Sequence, residues 1–288
     1  MIIWLVLLGL SLGSFVNALV WRLHERAKLE DTIAHRKKGS GVPTSKERQR
    51  LADLSMWHGR SMCPHCQHPL AARDLIPVFS WLFLRGKCRY CQRPIDDTPL
   101  PELVTPLIFV ASFLWWPMPF HGIGLLTFIF WLIFVVGFVA LALYDFRWML
   151  LPDKMVYPLI GLAVIELILQ LLHFHAGLHV LVDAGAGVLV VSGLFFVLYV
   201  ASGGEWIGGG DVKLGILLGI LAGDALRGAL LLFIASLAGV LFAVPQMTRG
   251  QAGRKAHIPF GPFLIFGLLV VQLFGSGVID WYARLLAG

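Results

Sequence analysis

Beyond Leu100 the sequence keeps gathering apolar residues into runs of about twenty, parted only by short polar turns. An α-helix needs roughly 20 apolar residues to cross the hydrocarbon of a bilayer. So many runs of that length exceed what one soluble core can bury, and lipid must cover the remainder. Composition agrees, since 58% of the 288 residues are hydrophobic and 14% charged, with a mean hydropathy of +0.79. A backbone in lipid has to satisfy its own hydrogen bonds, which an apolar run does by forming a helix. The expected fold is an all-α polytopic membrane protein.

Hydropathy delimits eight segments, at residues 1–21, 100–116, 122–144, 155–172, 180–200, 212–223, 228–245 and 258–286, the sixth of them short. Fifteen of the 23 Lys and Arg residues fall between Arg22 and Thr98. Basic loops stay on the cytoplasmic side, so residues 23–98 form a large cytoplasmic loop and the basic loop at 248–257 shares that side. Three parts follow: a first transmembrane helix at 1–22, the loop at 23–98, and a helical bundle at 99–288, with both chain ends outside. The net charge of +6 lies in loops. It reports orientation and contact with lipid headgroups, with no nucleic-acid partner implied. No basic stretch precedes the first apolar run and no small-residue cleavage pattern follows it, so it reads as a span and not as a removable signal. Within it, Gly9, Gly13 and Ser14 make a small-residue packing face, and Asn17 reads as an amide satisfied inside that packing. Residues 28–54 read as a surface helix joined to a mobile connection.

The four cysteines all lie in the cytoplasmic loop, Cys63 and Cys66 as one C-x2-C pair, Cys88 and Cys91 as another. Each pair can put two thiolates on one ion, and four sulfurs close a tetrahedral zinc site with no position left for water. Neither the flanking sequence nor a βαβ pattern supports a redox pair. His65 and His68 sit beside the ligands or in solvent.

Ionisable groups at membrane depth are costly and call for a reason. The polar insertion SGGEWIGGGDVK, residues 202–213, carries five glycines and delivers Asp211 to the mouth of the next apolar run. Glycines here allow left-handed turns and close backbone approach. Two crossings earlier, YDFRWMLLPDKM emerges on the same side with Asp145 and Asp153. Two carboxyl groups converging on one water share a proton, one acting as base and the other as acid, and so activate water without a covalent intermediate. Spacing alone leaves both Asp145 and Asp153 open as the partner of Asp211. Glu166 stands alone in mid-span, Asp183, Asp224 and Asp280 lie towards the outer face, and Glu205 is more solvated than Asp211. Lys213 marks the helix boundary or acts on Asp211. Two acids at a bilayer boundary also suit a cation-coupled transporter with broken helices, and a zinc lobe suits an assembly scaffold.

Taken together, GSFVNALVWRL at 13–23, CPHCQHPL, IPVFSWLFLRGKCRYC, PLPELVT at 99–105, YDFRWMLLPD, GGGDVKLGILLG and IPFGPFLIFG resemble, in this order, the signatures of bacterial type IV prepilin peptidases. These are membrane aspartyl proteases of the GxGD class. The resemblance covers nearly the whole chain, departing from the pattern at His24 and in the IDDTP stretch after Cys91. It implies that Asp145 and Asp211 are the catalytic acids and that Asp153 accompanies them. Gly208, Gly209 and Gly210 precede Asp211 in the GxGD box and would admit the substrate backbone. It also implies cleavage of the basic leader of prepilins or pseudopilins at the cytoplasmic face of the bacterial inner membrane. N-methylation of the new amino terminus would follow, with S-adenosylmethionine as donor and Glu102 in the methyltransferase region. A peptidase that has lost methylation is the alternative within the family.

Overall fold

The computed structural model describes residues 1–36, 43–55, 61–95, 98–173, 177–248 and 258–287. The basic connection at 37–42 and nearly all of the basic loop at 248–257 lie outside them. Tertiary contacts divide the chain into two units, Met1–Ala111 and Ser112–Gly288.

In the first unit, α1 spans Ile2–Ala34, 33 residues. It runs well past Trp21, where the apolar run ends. The segment after Trp21 is rich in strong helix formers and carries helical ion pairs, Arg26 with Glu30 at 2.8 Å and Lys28 with Glu25 at 3.5 Å. The boundary expected near residue 22 falls within one continuous helix. Helix α2 (Ser45–Asp53) opens with a capping box between Thr44 and Glu47. A 3₁₀ turn (Ala72–Leu75) and the short α3 (Phe79–Phe83) follow the first cysteine pair. Helix α4 (Leu100–Leu114) then lies directly on α1. A Cβ added to Gly9 would fall 2.5 Å from Pro106 Cα, and one added to Gly13 would fall 2.4 Å from Pro101 O. Only hydrogen fits at either place, so the small-residue face of α1 is where α4 seats.

The second unit is a bundle of α5 (Ile123–Trp148), α6 (Asp153–His173), α7 (His179–Ser202), α8 (Gly209–Ala222), α9 (Ala225–Thr248) and α10 (Gly261–Ala287). Half of the apolar window of α5 is buried, the largest share of any long helix described, and Phe134, Phe138 and Leu141 on it are almost wholly enclosed. Outward, large apolar side chains such as Leu189, Val197 and Phe233 stay exposed, as a lipid-facing surface requires. Among the described residues six helices are long and apolar enough to cross a membrane: α1, α5, α6, α7, α9 and α10. The chain is thus an all-α polytopic membrane protein. Helices α4 and α8, of 15 and 14 residues, are apolar but short, so the structure shows six long spans where hydropathy delimited eight segments.

Helices α7, α8 and α9 meet along glycines. A Cβ on Gly219 would stand 2.5 Å from Val188 Cα, one on Gly215 would stand 2.9 Å from Ser192 Cα, and one on Gly187 would stand 2.6 Å from Gly219 O. In lipid, packing of this kind replaces the hydrophobic effect as the force joining helices. Gly219→Ala is expected to lower the melting temperature of the purified protein by about 5 °C, because overpacking costs roughly 1–3 kcal/mol. Gly161→Ala, where the added methyl meets nothing within 4 Å, is expected to cause no loss. A thermal melt of both variants in the same detergent checks the pair.

Candidate active site

Asp145 sits in the last turn of α5, which ends at Met149 in the left-handed conformation, φ 53°, with its N–H bonded to Asp145 O at 2.7 Å. Only 5% of Asp145 is exposed. Its Oδ2 accepts the backbone N–H of Gly261 at 3.0 Å. Gly261 is the first residue of α10, where N–H groups lack helical partners and the helix dipole is positive. A carboxylate buried at that point is therefore met by a donor. A Cβ on Gly261 would lie 2.7 Å from Asp145 Oδ2 and 3.6 Å from Leu214 Cδ2 on α8. The absence of a side chain at Gly261 thus lets α5, α8 and α10 close on one point.

Asp211 is the third residue of α8, half-buried, one turn before Leu214. Its carboxyl lies close enough for the charge of Asp145 to act on it. Two contacts fix this end of α8. Ser192 Oγ on α7 donates to Val212 O at 2.9 Å, and Gly210 leaves just enough room for Leu151, whose Cβ would stand 3.0 Å from an added methyl. Leu151 belongs to the connection that follows α5, so Gly210 lets that connection approach α8 beside Asp211. The left-handed glycines of the loop are Gly203 and Gly204, φ 61° and 86°, which terminate α7. Gly208 caps α8 in an extended conformation, and Gly209 and Gly210 are its first helical residues. Among Gly208, Gly209 and Gly210 the contribution visible in the structure is space, without left-handed backbone.

The structure therefore brings Asp145 and Asp211 together and gives Asp153 another partner. Lys213 Nζ donates to both carboxylate oxygens of Asp153, at 2.7 and 2.9 Å, and lies 5.5 Å from the ring centre of Tyr157. Asp153 begins α6 and Lys213 sits in the opening turns of α8, so the ion pair ties α6 to the helix that carries Asp211. Two contributors went unnoticed in the sequence, Gly261 and Ser192. The Gly-Pro pair at Gly261 was a helix-start signal, Pro being favoured in a first turn. Nothing in the sequence marked Ser192.

The remaining acids lie elsewhere. Glu166 is not alone, as Gln170 Nε2 donates to its Oε1 at 3.3 Å. With His179, Asp183, Asp224 and Arg227 it lines a cavity of about 460 Å³, at the end of α8 opposite Asp211. Glu205 is exposed. In the first unit, Glu102 Oε2 accepts the N–H of Val78.

The two cysteine pairs fold into matching turns. Gln67 and Gln92, each following the second cysteine of its pair, both adopt positive φ, 56° and 59°. Each donates its N–H to the carbonyl of the first cysteine at 2.9 Å, while Cys63 N–H bonds His68 O and Cys88 N–H bonds Arg93 O. One sulfur from each of the four cysteines lies within 4.8 Å of the others, and Cys63 Sγ and Cys91 Sγ are 3.9 Å apart. Tetrahedral zinc with Zn–S near 2.3 Å would separate sulfurs by about 3.8 Å, so the residues fit such an ion. Burial pushes the Cys63 thiol up to about 12. At Cys88 burial acts in the same direction but is outweighed by N–H groups of Cys91 and Tyr90 and by the thiols of Cys63 and Cys91, which bring it down to about 7. His65 and His68 are exposed and bound elsewhere, His65 Nε2 to Pro94 O at 3.1 Å and His68 stacked on Tyr90. Neither competes for a position among the sulfurs.

A buried carboxyl at the end of one helix, with a second in electrostatic range at the start of another, is an arrangement in a membrane protein that can hold one proton between two acids. Two family models identify which. Residues 7–116 match the bacterial peptidase A24 N-terminal domain and residues 129–244 match the type IV leader peptidase family. Curated relatives named prepilin leader peptidase/N-methyltransferase include one from Aeromonas hydrophila, 33% identical over 96% of this chain and 91% of its own. Others come from Bacillus subtilis, 31% identical over 82% of this chain and 90% of its own, and from Pseudomonas aeruginosa, 30% identical over 97% and 92%. No solved structure matches the chain. The chain belongs to the type IV leader peptidase family, and its activity is that of an intramembrane aspartyl peptidase acting on prepilin.

Two substitutions follow from this geometry. Gly261→Ala puts a methyl group on the Asp145 carboxylate and is expected to slow prepilin cleavage at least tenfold, measured as initial rate on purified enzyme. The purified protein is expected to carry one zinc ion per chain and Cys63→Ser to carry none, measured by elemental analysis, since a tetrahedral site of four sulfurs loses a ligand. Retention of a full equivalent would contradict the four-sulfur site.

Proposed function

We propose that Asp145 and Asp211 are the catalytic pair, and the observation that carries this is that the buried Asp145, held by the Gly261 amide, lies within electrostatic range of Asp211. Like charges at short range resist ionising together, so the pair holds one proton. The ionised carboxyl takes a proton from water as its oxygen attacks the scissile carbonyl carbon. The protonated one gives its proton to the carbonyl oxygen, and the diol then collapses, breaking the C–N bond as the amine nitrogen is protonated. No bond forms between enzyme and substrate.

The substrate is the leader of a prepilin or pseudopilin, drawn to the pair at the cytoplasmic face of the inner membrane. The short α4 and α8 are two further crossings, eight in all, with the tetracysteine lobe on the cytoplasmic side and both chain ends outside. Gly208, Gly209 and Gly210 leave room for the substrate backbone. The lobe binds Zn2+ through Cys63, Cys66, Cys88 and Cys91, and residues 23–98 form the region that supports methylation. The names of the relatives support a second activity, N-methylation of the new amino terminus by S-adenosylmethionine. When bound, this donor supplies a methyl carbon to the neutral amine; the C–S bond breaks with its electron pair on sulfur and one proton leaves nitrogen. Glu102, held by Val78, belongs to this half of the chemistry.

Coexpression with a prepilin tests the pair. Asp145→Asn and Asp211→Asn are each expected to leave the leader attached, with the rate down ~10³-fold or more on a gel-shift assay, as loss of an acid–base group implies. Complete processing by both variants would refute the assignment. Ion flux with an intact prepilin would favour the transporter instead.

A further inference from the structure

Within the first unit lies a cavity of about 400 Å³, lined among others by Asn17, Trp21, Arg22, Trp81 and Glu102. The sequence reading took Asn17 for a satisfied amide, and the structure corrects it. Only 8% of the residue is exposed, and its Nδ2 donates to Thr98 O at 3.1 Å, which fixes the amide's orientation. Its Oδ1 is then buried with no hydrogen-bond donor among the described residues. Buried acceptors are nearly always satisfied, so an orphan on a cavity wall points to a group that enters the cavity.

Arg22 makes a second demand on the same space. It is 6% exposed, and the one hydrogen bond it makes among the described residues is long, from Nη1 to Ser55 O at 3.5 Å. A guanidinium withdrawn from water calls for an anion with oxygen acceptors. Glu102, whose Oε2 is held by the Val78 N–H, adds a negative charge to the wall, and the indoles of Trp21 and Trp81 add flat apolar surface. The complementary ligand carries an N–H donor and a carboxylate on one small group, as the α-amino-acid end of a molecule does, together with a planar ring and a further positive centre suited to an acid and aromatic faces.

We propose that this cavity is the methyl-donor site of the chain, a reading that rests on the proposed N-methylation, with Asn17 Oδ1 receiving the donor's ammonium and Arg22 its carboxylate. S-adenosylmethionine has each of the required groups. Asn17 and Arg22 are thereby binding residues contributed by α1.

The test titrates the full-length protein in detergent with S-adenosylhomocysteine by calorimetry, so the readout is binding and not turnover. Wild type is expected to bind it; Asn17→Leu is expected to weaken binding at least tenfold; Asn17→Asp, which keeps an acceptor, is expected to retain it. A thermal melt of each variant, together with the metal content of the four-cysteine lobe in the same unit as Asn17, is measured to show that it has folded. Unchanged affinity in a folded Asn17→Leu would overturn the proposal, and if mass spectrometry then shows a methylated pilin, the methylation reading survives and only the cavity assignment fails. Absence of both binding and methylation in a cleaving wild type would overturn the two together.

Discussion

One hydrogen bond organises the end of the bundle where Asp145 and Asp211 lie, the 3.0 Å contact from the Gly261 amide to Asp145 Oδ2. A carboxylate almost fully removed from water is tolerable only where donors replace its hydration, and a helix amino terminus offers N–H groups with no other use. Because the donor is the first residue of α10 and the acceptor is in the last turn of α5, the bond fixes two helix ends against each other. The missing side chain at Gly261 then lets Leu214 of α8 come up to the same point, and Asp211 arrives with it, one turn earlier. Glycine is needed there for space, since any methyl would displace the carboxylate.

Three further contacts hold α8 in place: Ser192 on the Val212 carbonyl, Leu151 against Gly210, and Lys213 on Asp153. They come from α7, from the connection after α5 and from the start of α6. Asp153 thus has a structural task. Asp153, which spacing left level with Asp145, spends both oxygens on Lys213.

Much of this was legible in the sequence. The length of the apolar runs required a helical membrane protein, the C-x2-C pairs required four clustered sulfurs, and the glycines of α1 marked its packing face. Other features were hidden for physical reasons. The full length of α1 was hidden because hydropathy reports only the apolar run, while the propensity of the polar segment after Trp21 carries the helix on to Ala34. The Gly261 bond joins residues 116 positions apart, and backbone amides leave no trace in composition. Asn17 looked satisfied because polar groups in helix interfaces usually are. Its orphaned oxygen appears only once the Thr98 carbonyl is seen to claim the other end of the amide.

The central claim is that Asp145 and Asp211 act as one device that shares a proton and a water. A double-mutant cycle on prepilin cleavage measures this directly, comparing Asp145→Asn, Asp211→Asn and the double variant under single-turnover conditions. Groups that act as a unit are strongly non-additive. The double variant is expected to cleave no more slowly than the slower single variant, both singles being at the floor of the assay or near it. Two modest losses that multiply in the double variant would show independent groups and would contradict the shared site.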